Sequence, residues 1–224
     1  MLNLDALSSV SLTPAPWRWA EVGQFIEADA MVRLIETFPT DGFITRVGGA
    51  DNPFRSSGRR LVHLGAEQPV DDADLDEVWG DLCQELLASD YRRAVGELVQ
   101  LDLEQHGLQV SIYRNGPEEW LPAHIDNWPK VLTQTIYFHD EWGADWGGEL
   151  LILRSADMSD VVATIPPTID RSVVHLRTEE AWHAVPPLRN GGLDHDRLSM
   201  TVVFYDEPEH WRDVYGHSPL GSVL

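Results

Sequence analysis

Residues 131–154 read VLTQTIYFHDEWGADWGGELLILR, and this stretch decides the fold class. Its opening, VLTQTIYF, is mostly β-branched or aromatic, which suits a pleated, half-buried strand. The middle is turn-forming, and the closing ELLILR is an apolar run too short for a helix. Similar runs flank it at 108–114 (LQVSIYR), 161–165 (VVATI), 172–177 (SVVHLR), 182–185 (WHAV) and 197–205 (RLSMTVVFY). Short strands in such close succession predict a double-sheet sandwich or jelly roll. This half lacks the βα alternation of a Rossmann fold or a TIM barrel.

The first hundred residues read differently. Val22, Phe25, Ile26, Ala30, Leu34 and Phe38 lie at roughly helical spacing, which predicts a helix within 19–38, ended by Pro39. Residues 40–72 are rich in Gly, Asp, Pro and Arg and read as loops with one or two short strands. Within them, GGADNPFRSSGRR (48–60) suits a mobile lid. Leu75, Val78, Trp79, Leu82 and Leu86 mark one face of a helix over 74–87, with acidic residues at its start. A second helix is expected over 90–104.

Composition narrows the function. The 224 residues carry 37 acidic and 16 basic side chains, a net charge of −21, which repels nucleic acid and anionic membranes. The N-terminus has neither the basic nor the apolar segment of a signal peptide, and no apolar run approaches the roughly 20 residues of a membrane span. The single cysteine, Cys83, excludes an intramolecular disulfide and a Cys-rich zinc site and fits a cytoplasmic location. The sequence carries no signal of oligomeric state.

The chemistry begins at His124-Ile125-Asp126. Residues i and i+2 of an extended segment point the same way, so His124 and Asp126 can share a metal ion. An antiparallel double sheet can bring His183 to the same place. Two imidazoles and a carboxylate form the facial triad of non-haem Fe(II), with positions left open for a cosubstrate and oxygen. The same set also serves zinc hydrolases. His106, His139, His175, His195, His210 and His217 read instead as surface or core residues. Arg197 opens the last strand, and alternation sets it on one face with Ser199 and Thr201, a good socket for a carboxylate. Arg189, in the preceding PPLRNGGLDHD loop, competes for that role.

In order along the chain, Tyr113, His124-Ile125-Asp126-Asn127, Thr135-Ile136-Tyr137-Phe138, Trp146-Gly147-Gly148-Glu149-Leu150, His183 and Arg197-Leu198-Ser199-Met200-Thr201 form a spaced pattern. This pattern resembles the prolyl-hydroxylase-like branch of the Fe(II)/2-oxoglutarate-dependent oxygenases, over roughly residues 108–207. The resemblance implies a double-stranded β-helix core (jelly roll, cupin-like) flanked by supporting α-helices, in a mainly β protein. One domain is expected over 1–224: helical support and loops to 106, the catalytic core over 107–207, and a tail over 208–224.

The resemblance also implies roles. His124, Asp126 and His183 would hold Fe(II), Arg197 and Tyr137 would take the distal carboxylate of 2-oxoglutarate, and Tyr113, Ser199 and Thr201 would line the pocket. With O2, 2-oxoglutarate would become succinate and CO2 while a substrate C–H is hydroxylated. The carboxylate ligand Asp126 disfavours halogenation, which needs a free site for chloride. Trp128 and Arg114 are the candidate substrate contacts. A compact chain suggests a small substrate, an amino acid or biosynthetic intermediate, free or tethered to a carrier protein. The alternatives are a peptidyl-prolyl substrate and a non-catalytic metal-binding β-sandwich.

Overall fold

The computed structural model describes residues 1–50 and 53–206. The expected tail over 208–224, with His210 and His217, lies outside the described residues, as do two positions of the 48–60 stretch.

In chain order the elements are α1 (Asp5–Ser8), β1 (Trp19–Gly23), α2 (Ala28–Glu36), β2 (Ile44–Val47), β3 (Arg55–Val62), α3 (Glu77–Leu87) and α4 (Ser89–Val99). There follow β4 (Gly107–Asn115), β5 (Leu121–His124), β6 (Lys130–Tyr137), β7 (Leu150–Leu153), β8 (Val161–Ile165), β9 (Arg171–Leu176), β10 (His183–Val185), a 3-10 turn (Asn190–Asp194) and β11 (Arg197–Tyr205). The strands form two antiparallel sheets. The larger runs β1-β9-β6-β11-β4-β3-β2 and the smaller β5-β10-β7-β8. The protein is mainly β, as the strand runs predict.

The N-terminal half contributes more sheet than its sequence suggests. Residues 19–38 are not one helix, because Trp19–Gly23 pairs with β9 before α2 begins. Ala20 and Val22 are buried while Trp19 and Glu21 are half-buried, a period of two that the helical pattern overlaps. β3 is a full strand between β2 and β4. The 48–60 stretch enters the sheet at Arg55, where β3 begins. The helices form close to where their apolar spacing puts them. The Asp76 side chain accepts from the Val78 amide at 3.0 Å to cap α3, and Gln100 ends α4 in the left-handed conformation at φ +60°.

Alternation in the large sheet separates two environments. Leu108, Val110, Ile112, Leu132, Ile136, Val174, Leu176, Met200, Val202 and Phe204 turn one way and join Trp79, Leu82, Leu86, Tyr91 and Val95 of α3 and α4 in the main core. Their neighbours in sequence turn the other way, towards the small sheet. The apolar cluster between the sheets (Trp17, Tyr137, Leu150, Ile152, Ile165, Val173, Ala181, Val185) draws on β6 and β9 of the large sheet. Over β11, β4, β3 and β2 the same face carries mostly polar side chains and opens as a cavity of about 190 Å³.

Candidate metal centre

The cavity lies over this polar face, and its ligand set comes from three short segments. His124 ends β5, His183 begins β10, and the two are directly opposite in the antiparallel pair. Their ring centroids are 4.2 Å apart. Asp126 follows two residues after His124, and one ligand atom from each of the three lies within 4.8 Å of the others.

The backbone selects the imidazole tautomer. Nδ1 of His124 is 2.9 Å from the Pro122 carbonyl, and Nδ1 of His183 is 2.9 Å from the Ala181 carbonyl. A carbonyl oxygen can only accept, so each Nδ1 carries the proton and each Nε2 keeps its lone pair. Burial, above all, lowers both pKa values, that of His183 strongly. Both rings are therefore neutral donors at neutral pH.

Asp126 is held as the charged partner. Burial alone would raise its pKa, but the Lys130 ammonium, with His175, holds it well below the usual carboxylate range. Lys130 Nζ donates to Oδ1 at 2.7 Å, Thr133 Oγ1 donates to Oδ2 at 2.9 Å, and His175 Nε2 is 3.3 Å from Oδ2. Trp17 packs edge-on against both His175 and His183, and its indole N–H donates to the Leu153 carbonyl at 3.0 Å. Two neutral imidazoles and an ionised carboxylate, buried beside a cavity, fit a divalent ion of the Fe(II) type.

Arg197 lines the same cavity and is 5% exposed. Its Nε donates to the Gly148 carbonyl at 2.5 Å and its Nη1 to Ser199 Oγ at 2.9 Å. Among the described residues no carboxylate lies within ion-pair distance of it. A buried guanidinium in that condition calls for an anion from outside the chain. The Tyr137 ring lies 5.3 Å below the guanidinium carbon, and its buried hydroxyl, which interacts with the Arg197 side chain, has no other hydrogen-bond partner among the described residues. Burial pushes that phenol up to about 12, so it stays a donor. A dicarboxylate with one end beside Arg197 and Tyr137 fits these unmet polar groups.

The approach to Arg197 depends on two glycines. Gly147 and Gly148 have φ of +74° and +75°, and a Cβ on Gly147 would come within 2.2 Å of the Pro187 carbonyl oxygen. This turn brings the Gly148 carbonyl to Arg197.

Of the other expected residues, Tyr113, Ser199 and Thr201 line the cavity, and Tyr137 lies behind Arg197 rather than in the lining. Trp128 is 46% exposed and Arg114 pairs with Asp196 at 2.7 Å; neither reaches the cavity. Arg189 is turned outward onto the Asp145 carbonyl, and the loop before β11 is taken up by the 3-10 turn without displacing Arg197. Lys130, Thr133, His175 and Trp17 were not anticipated. His175 shares the parity of Val173 in an alternating strand, a signal that it faces inward.

Comparison with known proteins agrees with this geometry. Residues 108–205 match the family model of the 2OG-Fe(II) oxygenase superfamily. No curated protein matches the chain significantly. Among solved structures, a prolyl-4-hydroxylase of Pseudomonas putida is similar at 21% identity and TM-score 0.59, over 90% of this chain and 96% of that one. A prolyl hydroxylase from Trichoplax adhaerens, in complex with a hypoxia-inducible-factor oxygen degradation domain peptide fragment, reaches TM-score 0.62 at 16% identity, over 97% and 92%. A 2OG-Fe(II) oxygenase family oxidoreductase from Burkholderia pseudomallei gives 0.59 at 15%, over 84% of each. At these identities the likeness is one of fold. No helix among the described residues is long and apolar enough to cross a membrane. Residues 108–205, with the candidate iron site at His124, Asp126 and His183, thus match the 2OG-Fe(II) oxygenase superfamily, whose members use Fe(II), 2-oxoglutarate and O2.

Proposed function

We propose that this protein is a dioxygenase that hydroxylates an unactivated C–H bond of a small molecule, an amino acid or biosynthetic intermediate, free or carrier-bound. The observation that carries the reading is one cavity holding both the His124, Asp126, His183 cluster and a buried Arg197 that has no ionic partner among the described residues. Bound iron and 2-oxoglutarate would supply the oxidising power, with succinate and CO2 as by-products. His124, Asp126 and His183 present their donor atoms to the metal, and Lys130 and Thr133 keep the Asp126 carboxylate fixed and ionised. Arg197, Ser199 and Tyr137 receive the distal carboxylate of the cosubstrate. Tyr113, Thr135 and Thr201 form the adjoining wall. A zinc hydrolase or a passive metal-binding sandwich has no use for the Arg197 socket. The cavity of about 190 Å³ favours a small substrate.

A peptidyl-prolyl substrate is the second reading. It draws on two relatives of like fold that are prolyl hydroxylases, one of them holding a peptide. A single domain in the cytoplasm fits the one buried cysteine, whose thiol burial pushes up to about 12.

Anaerobic titration with Fe(II) and then 2-oxoglutarate tests the cofactor assignment. A weak visible charge-transfer band is expected, lost in His183→Ala. Iron bound at saturating 2-oxoglutarate with no band would end the oxygenase reading. Succinate release under O2, screened with amino acids, intermediates and proline peptides, separates the two substrate classes.

A further inference from the structure

The cavity has a second cationic side, on β3 and β2. Arg60 and Ser56 of β3 and Arg46 of β2 line it together with the metal-binding residues. By register Arg60 sits opposite Ser111 of β4, and Ser111 opposite Thr201 of β11. At about 4.8 Å per strand, Arg60 springs from the sheet roughly 10 Å to the side of the strand that bears Arg197.

Arg60 lies in the cavity wall with its charge only partly solvated. It is half-buried, and no carboxylate lies within ion-pair distance of it among the described residues, although the protein carries 37 acidic residues against 16 basic ones. Desolvation first, and then the like charge of Arg46, lower its pKa. Both effects disfavour the protein alone and would be relieved by an anion. Among the described residues the one carboxylate lining the cavity, Asp126, is already matched by Lys130. The neighbours that favour the Arg60 charge are two phenols, Tyr113 and Tyr205. The Tyr113 ring lies directly on Gly58, where a Cβ would come within 2.9 Å of it, so β3 is bare where that ring crosses it. Among the described residues the apolar cluster between the sheets includes none from β3, β4 or β2, and Arg46, Ser56, Arg60, Gln109 and Asn115 line the cavity there.

We infer that the prime substrate carries an anionic group, a carboxylate or a phosphate, that docks on Arg60 between Tyr113 and Tyr205, in the positive field of Arg46. The inference rests on the oxygenase reading, in which 2-oxoglutarate occupies Arg197 and leaves Arg60 for the substrate. It accounts for an arginine-rich cavity wall in a strongly acidic protein.

The test uses the full chain loaded with Mn(II) and saturating 2-oxoglutarate. It is titrated with N-acetyl amino acids, with their primary amides, and with inorganic phosphate. Paramagnetic broadening of probe resonances reports both binding and nearness to the metal. Acids or phosphate are expected to bind at least tenfold tighter than amides, and the tighter of the two names the anion. Arg60→Gln should erase that preference while the Kd for 2-oxoglutarate changes less than threefold. Arg60→Lys, which keeps the charge, should retain part of it and serves if the Gln variant does not fold. Equal binding of acids and amides, a preference that survives Arg60→Gln, or a proline peptide bound regardless of its charge would overturn the inference. If 2-oxoglutarate fails to bind while the Arg60-dependent preference persists, the anion site stands and the oxygenase reading falls.

Discussion

The Lys130 ammonium stands 2.7 Å from the Asp126 carboxylate, inside the layer that holds the candidate metal-binding residues. The pair keeps Asp126 ionised in a place where burial would protonate it. Its folded pKa is depressed, so the ionised form persists until the pH falls through that low value. Lys130→Met should raise the Asp126 pKa and weaken Mn(II) binding at pH 7 by roughly 10–100-fold. The midpoint of the binding–pH curve should also move upward. Mn(II) titrations followed by EPR between pH 5 and 8 check both; an unmoved midpoint would remove Lys130 from this role.

Tyr137 and Arg197 make a paired prediction. Because the buried Tyr137 hydroxyl makes no well-formed hydrogen bond among the described residues, Tyr137→Phe should change the stability of the cofactor-free protein by no more than about 1 kcal/mol. The same change should weaken 2-oxoglutarate several-fold. Arg197→Ala should weaken it by about 10–100-fold and leave the metal Kd nearly unchanged. Urea melts and anaerobic calorimetry measure the two quantities separately. A marked stability loss in Tyr137→Phe would mean that the hydroxyl already has a partner.

Gly147→Ala meets both a left-handed backbone and the Pro187 carbonyl. The backbone conformation alone costs about 1–2 kcal/mol, and the contact adds to it. A loss of at least about 2 kcal/mol is expected in denaturant unfolding. A Gly147→Ala protein as stable as wild type would show that the turn can relax, and with it the route of the Gly148 carbonyl to Arg197.

His139 gives the fold a pH dependence. Its Nε2 accepts from the Leu198 amide at 2.9 Å, and burial, helped by the charge of Arg197, lowers its pKa to about 4 from an ordinary 6.5. Between these values the unfolded chain binds a proton that the folded one refuses. Its stabilising contribution is therefore complete above pH 6.5 and falls away as pH drops towards 4, by roughly 3 kcal/mol at most. His139→Gln should flatten the fall in urea midpoint between pH 7 and 5. An unchanged slope would assign it to other groups.

The sequence made the catalytic half legible because its strands alternate cleanly. In 197–205 every polar residue has the parity of Arg197, so the face and the socket could be read together. β1 was missed because Val22, Phe25 and Ile26 fit a helical period as well as a strand followed by a bend. Within 40–72, where the sequence predicts one or two short strands, β2 and β3 form; the position and length of β3 are not legible because RSSGRRLV has too few β-branched residues, and its strand state is set by pairing on both sides. The supports of Asp126 were hidden for another reason. Lys130, Thr133, His175 and Trp17 come from separate segments, and only the closed fold brings them together. Trp128 and Arg114 were chosen by nearness in sequence, which a turn and a change of face undo.

The strict alternation of β11 ties the candidate site to the integrity of the core. Arg197, Ser199 and Thr201 face the cavity because Met200, Val202 and Phe204 face the helices. Inserting or deleting one residue there would exchange the two sets, sending a guanidinium into the apolar core and methyl groups into the cofactor pocket. Length can change in this strand only by two residues, or by passing the slack backwards. The stretch between His183 and Arg197, with its 3-10 turn, is where such slack can be stored without moving either residue.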